Sequence, residues 1–244
     1  MKLTVTESFE QSSRRTADLF ESCIRKKPDA LLGLATGSSV VPLYRIFSED
    51  CAAGKADFSK CCTINVDEYI GLPNDHPQSF AYFMQTHLFG KTNFSAQNIY
   101  LVDGAADPAK EADRFNRYLR AKRIDILLLG IGGNGHIGFN EPGDRFIAPA
   151  HTVELSEQTV AANARMFKSA DEVPRMAFTI GVRDVVRANK VVLIASGASK
   201  ADAVGRLFAD DCIDPMLPAS VIKLCDDAEV IIDEELAEAA GLRS

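Results

Sequence analysis

The chain has 244 residues, 46% of them hydrophobic and 25% charged, with a formal net charge of −7. That balance suits a globular protein with a real core and leaves room for one large α/β domain or two small ones. It excludes the basic surface that general binding of nucleic acid or anionic membrane needs; no stretch approaches the roughly 18 consecutive apolar residues of a membrane span, and Met1-Lys2-Leu3-Thr4-Val5-Thr6-Glu7 has no apolar signal core, so a cytoplasmic protein is expected.

Strand-like and helical patterns alternate from the start. A strand over 3–6 is followed by an amphipathic helix over 9–26, and a strand over 30–35 runs into Leu34-Ala35-Thr36-Gly37-Ser38-Ser39-Val40 and a helix over 40–49. Gly37 lets the backbone turn, while Ser38 and Ser39 bring hydroxyls to a helix N-terminus, where free N–H groups attract anions and above all phosphate. The Gly-Lys-Ser/Thr ending of a nucleotide loop is absent. Taken alone, these residues also make an ordinary N-cap turn.

The strand expected over 63–67 closes with Asn65-Val66-Asp67-Glu68-Tyr69-Ile70-Gly71-Leu72. An acid such as Asp67 at a strand end either caps the next element or serves as a carboxylate base whose pKa is set by burial. A helix over 80–89 and a strand over 99–102 come next. Asp107 is a good N-cap and Pro108 suits the first turn of a helix over 108–122, with the charge run from Arg114 to Arg123 as its solvated face.

An apolar strand over 124–131 then delivers the densest signal, Gly130-Ile131-Gly132-Gly133-Asn134-Gly135-His136-Ile137-Gly138-Phe139-Asn140-Glu141-Pro142-Gly143. Six glycines in these fourteen residues are too many for a packed helix or a strand interior, and a plain turn needs one or two. They permit a compact backbone that brings Asn134, His136 and Glu141 together at the carboxyl end of a strand, where α/β sheets place their chemistry. An imidazole beside a carboxylate is a proton-transfer pair. Three strand ends thus offer a phosphate cradle, a carboxylate base and an imidazole–carboxylate pair, a set suited to acid–base chemistry on a phosphorylated sugar.

Helices over 158–167, 200–209 and 219–224 and strands over 176–180, 190–195 and 230–233 complete the chain. Repeated βα units without a linker predict a single three-layer α/β/α domain over 1–244 with a mainly parallel, Rossmann-like sheet. Six cysteines show no Cys-x-x-Cys and read as buried, reduced thiols, and the four histidines show no metal-ligand spacing.

The segments 34–39, 65–72 and 132–143 together resemble the glucosamine-6-phosphate deaminases, in order and over nearly the whole chain. The resemblance implies conversion of glucosamine 6-phosphate and water to fructose 6-phosphate and ammonia without a metal or organic cofactor. It places the ring-opening histidine on His136, supported by Glu141 and Asn134, and the enolisation base on Asp67. It assigns the phosphate to Thr36, Gly37, Ser38 and Ser39 with Arg165 and Lys200, two residues that would otherwise read as solvated helix charges. Many members of that family carry Asp where this chain has Asn134.

A 6-phosphogluconolactonase is the alternative enzyme, but its Gly-His loop typically continues Thr-Ala-Ser-Leu-Phe-Pro, whereas this loop continues Ile137-Gly138-Phe139-Asn140-Glu141-Pro142. A sugar-phosphate sensor would need a DNA-binding segment and could lose its acid–base residues. The C-terminus is shorter than in the allosteric, hexameric branch of the family, so a monomer or small homo-oligomer with hyperbolic kinetics is expected.

Overall fold

The structure is a computed structural model that describes residues 1–242 apart from Ser156, Gln158, Thr159, Ala162, Asn163, Arg165, Met166, Lys168, Ala170 and Asp171. Its strands are β1 (Lys2–Thr6), β2 (Leu31–Leu34), β3 (Cys62–Asn65), β4 (Asp67–Tyr69), β5 (Ile99–Tyr100), β6 (Ile126–Leu129), β7 (His151–Glu154), β8 (Met176–Thr179), β9 (Val191–Ala195) and β10 (Ala228–Asp233). Its helices are α1 (Phe9–Lys26), α2 (Val41–Ala52), α3 (Phe80–His87), α4 (Pro108–Ala121), α5 (Val182–Arg187), α6 (Ala201–Ala209) and α7 (Glu234–Ala239).

Seven strands form one parallel sheet in the order β1-β10-β9-β6-β2-β3-β5. Their sequences explain the placement: β2, β6 and β9 are apolar throughout and buried at every position, as strands covered on both faces must be. The helices follow from local signals. Ser8 accepts from Gln11 N–H to start α1, which buries Ala17, Phe20 and Ile24, and Asp107 accepts from Lys110 N–H ahead of Pro108 to start α4.

The chain runs from β2 to β3 and β5, then returns to the other side of β2 as β6. The strand order therefore reverses between β2 and β6, and the crevice above that point is where open α/β sheets hold their ligands. The turn after β2 and the Gly-rich loop after β6 both rise from this crevice.

A second, antiparallel sheet, β4-β8-β7, lies beside the first. It departs from the sequence expectation in two ways. The strand expected over 63–67 is two strands: Val66 N–H still bonds Leu34 O, but Ile180 N–H bonds Val66 O and Asp67 aligns with Thr179, so the chain changes sheets at Val66. The strand over 176–180 belongs to this small sheet, and β7 is an addition whose His-Thr-Val-Glu sequence carries no apolar run.

Smaller differences have local causes. The helix expected over 219–224 is a 3-10 turn, Pro218–Leu224, and α5 and α7 are six-residue helices too short to show a period. The helix expected over 158–167 falls largely outside the described residues. All six cysteines are unpaired, but only Cys61 and Cys225 are buried; Cys212 is exposed and the other three lie at intermediate depth, correcting the expectation of uniformly buried thiols.

Candidate active site

Four neighbouring strands, β9, β6, β2 and β3, end at one edge of the main sheet and supply the candidate site. The loop after β6 is built around its glycines. Gly132 N–H bonds His136 O and Gly135 N–H bonds Gly132 O, so the chain doubles back immediately and sets the His136 ring over Gly132. A Cβ at 132 would collide with that ring, which is why no larger residue serves there. Gly135, at φ +90°, leaves the space taken by Leu217.

Within this loop, His136 Nδ1 faces Glu141 Oε1 at 3.4 Å. The contact is longer than a typical hydrogen bond, and Nδ1 has no other partner among the described residues. Asn134 works on the carboxylate and the backbone and leaves the ring alone: its Nδ2 donates to Glu141 Oε2 at 2.7 Å, and its Oδ1 accepts from His136 N–H at 3.1 Å. The three side chains expected to cluster therefore do, with Asn134 holding Glu141 against the imidazole.

The far end of the loop is sewn to β8. Asn140 Nδ2 donates to Ile137 O, Thr179 Oγ1 and Ile180 O, and Phe139 N–H donates to Thr179 Oγ1. Sequence reasoning missed the positioning roles of Asn140 and Thr179. A second carboxamide within the glycine segment was the available signal for Asn140; nothing marked Thr179.

Asp67 reaches the same place from the start of β4, just past the end of β3. A Cβ on Gly138, which sits at φ +56°, would stand 3.6 Å from Asp67 Oδ2 and 2.8 Å from Thr179 Oγ1, so a bare glycine separates the loop after β6 from the acid. Asp67 is 8% exposed, and its Oδ1 has no hydrogen-bond partner among the described residues. Burial, with the neighbouring Glu68 charge, pushes its carboxyl up to about 8. Glu68, next to Asp67 in the chain, accepts from the N–H groups of Tyr69, Phe80 and Ala81 and so anchors the start of α3.

The turns after β2 and β9 are local copies of each other. Ala35-Thr36-Gly37-Ser38-Ser39 and Ala195-Ser196-Gly197-Ala198-Ser199 each place a glycine at positive φ, +108° and +88°, then make one 3-10 turn and enter a helix with no side-chain cap. Space is open around both glycines, so backbone conformation alone demands them. Tyr44 OH donates to Ala35 O at 2.5 Å and pins the first turn, while Ser196 Oγ donates to Asp233 in the second. A Cβ on Gly133 would meet Ser199 O at 2.9 Å, which shows how tightly the loop after β6 packs on the turn after β9.

Lys200 ends that second turn partly buried, and no carboxylate among the described residues lies within ion-pair distance. Desolvation holds its ammonium below the usual lysine range. Thr36, Gly37, Ser38 and Ser39 stand at the corresponding place on β2. Arg165 lies outside the described residues.

A doubly wound α/β protein with acid–base side chains and two glycine turns at its switch point is the class that fold and geometry define. Residues 4–232 match the family model of the glucosamine-6-phosphate isomerases/6-phosphogluconolactonase. The chain is 42% identical over 239 residues to the glucosamine-6-phosphate deaminase of Thermoanaerobacter sp. (strain X514), covering 97% of this chain and 94% of that one. It is 39% identical over 245 aligned residues to the same enzyme of Clostridium botulinum (strain Hall), covering both chains fully. The solved structure of a monomeric glucosamine-6-phosphate deaminase superposes with a TM-score of 0.93 at 39% identity over the full length of both chains. A 6-phosphogluconolactonase from Trypanosoma brucei, at TM-score 0.79 and 18% identity, shares the fold. The chain belongs to the glucosamine-6-phosphate isomerase/6-phosphogluconolactonase family.

Proposed function

We propose that this protein is a glucosamine-6-phosphate deaminase of amino-sugar catabolism, releasing fructose 6-phosphate and ammonia from glucosamine 6-phosphate and water. The observation that carries this reading is the meeting of the His136–Glu141 pair with Asp67 across Gly138. Ring opening requires one proton moved between two oxygens, and isomerisation requires another moved between two carbons. The crevice holds one group suited to each task.

The reaction then runs in three steps. His136, held by Glu141, moves the proton of the anomeric hydroxyl to the ring oxygen and opens the pyranose. Asp67 takes the proton from C2, giving an enolamine, and returns one to C1, leaving a C2 iminium. Water adds to C2 and ammonia departs, which yields the ketose. Phosphate held at Thr36, Gly37, Ser38, Ser39, Arg165 and Lys200, far from C1 and C2, supplies the positioning.

The same reading takes the whole chain as one domain acting as a monomer or small oligomer in the cytoplasm, with no nucleic acid as partner. Six unpaired cysteines suit a reducing compartment, and no described helix is long and apolar enough to cross a membrane. Likeness to a monomeric deaminase supports the small assembly.

The test supplies glucosamine 6-phosphate and, separately, 6-phosphogluconolactone. Stoichiometric ammonia and fructose 6-phosphate from the first, with lactone hydrolysis at the uncatalysed rate, is the expected result. Lactone hydrolysis without ammonia release would overturn it.

A further inference from the structure

Among the described residues, the buried side-chain atoms that lack a hydrogen-bond partner belong to four residues: Thr63, Asn65, Asp67 and His136. Two of these are the proposed acid–base groups. The other two precede Asp67 on the same chain segment, at alternate positions. Asn65 leaves both its amide nitrogen and its amide oxygen unpaired at 2% exposure, and Thr63 leaves its hydroxyl unpaired at 0%. A buried amide without partners is costly, and native proteins seldom keep one without a use.

The strand geometry says what Asn65 can reach. Side chains alternate along a strand, so Thr63 and Asn65 share one face of β3, and Asp67 follows Asn65 by two residues, just past the crossing to β4 at Val66. Their aligned neighbours are apolar: Leu32 and Ile99 beside Thr63, and Leu34 beside Asn65. The face is thus a polar file set in an apolar layer and ending at the base. Residues two apart on a strand are separated by about 6.6 Å, and two hydrogen bonds through one water span about 5.6 Å. A donor, Asn65 Nδ2, and an acceptor, Asp67 Oδ1, are each unsatisfied, and one water between them would serve both.

We propose that Asn65, backed by Thr63, is a positioning residue for the base: its carboxamide donates through one bound water to Asp67 Oδ1, fixing the orientation and favouring the charge of the carboxylate whose other oxygen faces the loop. This rests on the reading of Asp67 as the proton-transferring base. Other groups act on that carboxylate as well. Glu68, its chain neighbour, opposes its ionisation; Tyr44 of α2 and Tyr69 of β4 are coupled to it electrostatically; Thr179 aligns with it on β8, and His151 aligns with Thr179 on β7. Among the described residues, none of the ionised side chains is hydrogen-bonded to Oδ1, which leaves that atom to the file.

The test compares Asn65→Leu, Thr63→Val and Thr63→Ser with the parent protein, reading kcat and KM for glucosamine 6-phosphate against pH and the thermal midpoint. Removing a donor to the ionised form raises a carboxyl pKa. In Asn65→Leu the acidic limb of kcat/KM should therefore move up by about one pH unit, with KM on the plateau within about threefold of the parent. Thr63→Val should move the limb the same way by less, and Thr63→Ser should restore it. The thermal midpoint of Asn65→Leu should not fall, because the amide has no protein partner to lose.

A limb that stays within about 0.2 units of the parent in folded Asn65→Leu overturns the inference. If that variant does not fold, the Thr63→Val and Thr63→Ser pair decides by the same criterion. Asp67→Asn separates the two levels: turnover retained in it overturns both the base and this inference, while turnover abolished beside an unmoved limb overturns the inference alone.

Discussion

The carboxylates of Asp67 and Glu68, adjacent in the chain and both buried, are treated in opposite ways by their surroundings. Glu68 accepts three backbone N–H bonds, from Tyr69, Phe80 and Ala81, at 2.8–2.9 Å. Asp67 has one oxygen with no hydrogen-bond partner among the described residues and the other against the glycine loop. One acid is consumed by the fold and the other is held in reserve at the crevice. A buried carboxyl pushed up to about 8 is a base that works near neutral pH, where an ordinary exposed aspartate would be too weak.

Asp67→Asn should lower turnover by roughly 10²–10⁴, the usual contribution of a positioned base, and abolish solvent deuterium incorporation at C1 of the product. It should also stabilise the protein at alkaline pH. A carboxyl raised from 3.8 to about 8 favours the fold fully below about pH 4, and that stability is lost as pH rises to about 8. Asn removes the loss, so the variant's thermal midpoint at pH 9 should exceed the parent's by at least about 2 °C, and the gap should close toward pH 4. A midpoint at or below the parent's at pH 9 would mean that burial does not oppose the charge.

Glu68→Gln should do the reverse. Three charge-assisted acceptor contacts weaken together, so unfolding free energy should fall by about 1–3 kcal/mol in denaturant titration. Turnover of the remaining folded protein should stay within about tenfold of the parent. Turnover as poor as that of Asp67→Asn would give Glu68 a direct part in the chemistry.

Gly132→Ala isolates the placement of the imidazole. The added methyl collides with the His136 ring and must push it away from Glu141, while the surrounding backbone keeps its bonds. A ring displaced by an ångström should reduce turnover by about 10²-fold with little change in affinity for the phosphate. Unchanged activity would show that His136 works from another rotamer.

Lys200→Ala and Arg165→Ala should each weaken apparent affinity for glucosamine 6-phosphate by about 1.5–3 kcal/mol, through lost charge-assisted contacts to the phosphate. Unphosphorylated glucosamine, turned over negligibly by either form, should show no further change. Equal losses for both sugars would place these residues away from the phosphate.

Regulation offers a separate check. In the proposed monomer or small oligomer without a second phosphosugar site, nothing couples to the active site, so substrate curves should be hyperbolic and N-acetylglucosamine 6-phosphate should not activate. Initial rates with and without that compound, alongside a sedimentation mass, test this directly. A sigmoid curve made hyperbolic by the compound would refute it.

The local signals of the sequence carried far. Asp107 before Pro108 fixed a helix start to the residue, because capping is a matter of neighbours in the chain. The glycine density of 130–143 placed Asn134, His136 and Glu141 in one loop, and the structure puts them within contact of one another. What depended on distant partners was not legible. Nothing local distinguishes Asp67 from Glu68, since their roles follow from which backbone N–H groups α3 brings near and which oxygen Gly138 leaves bare. The change of sheets at Val66 and the hold of Asn140 on Thr179, 39 positions away, are likewise products of packing. Chain-local chemistry decides where an element begins and which residues a loop offers; only the assembled sheets decide which buried polar atom is satisfied and which is left free to react.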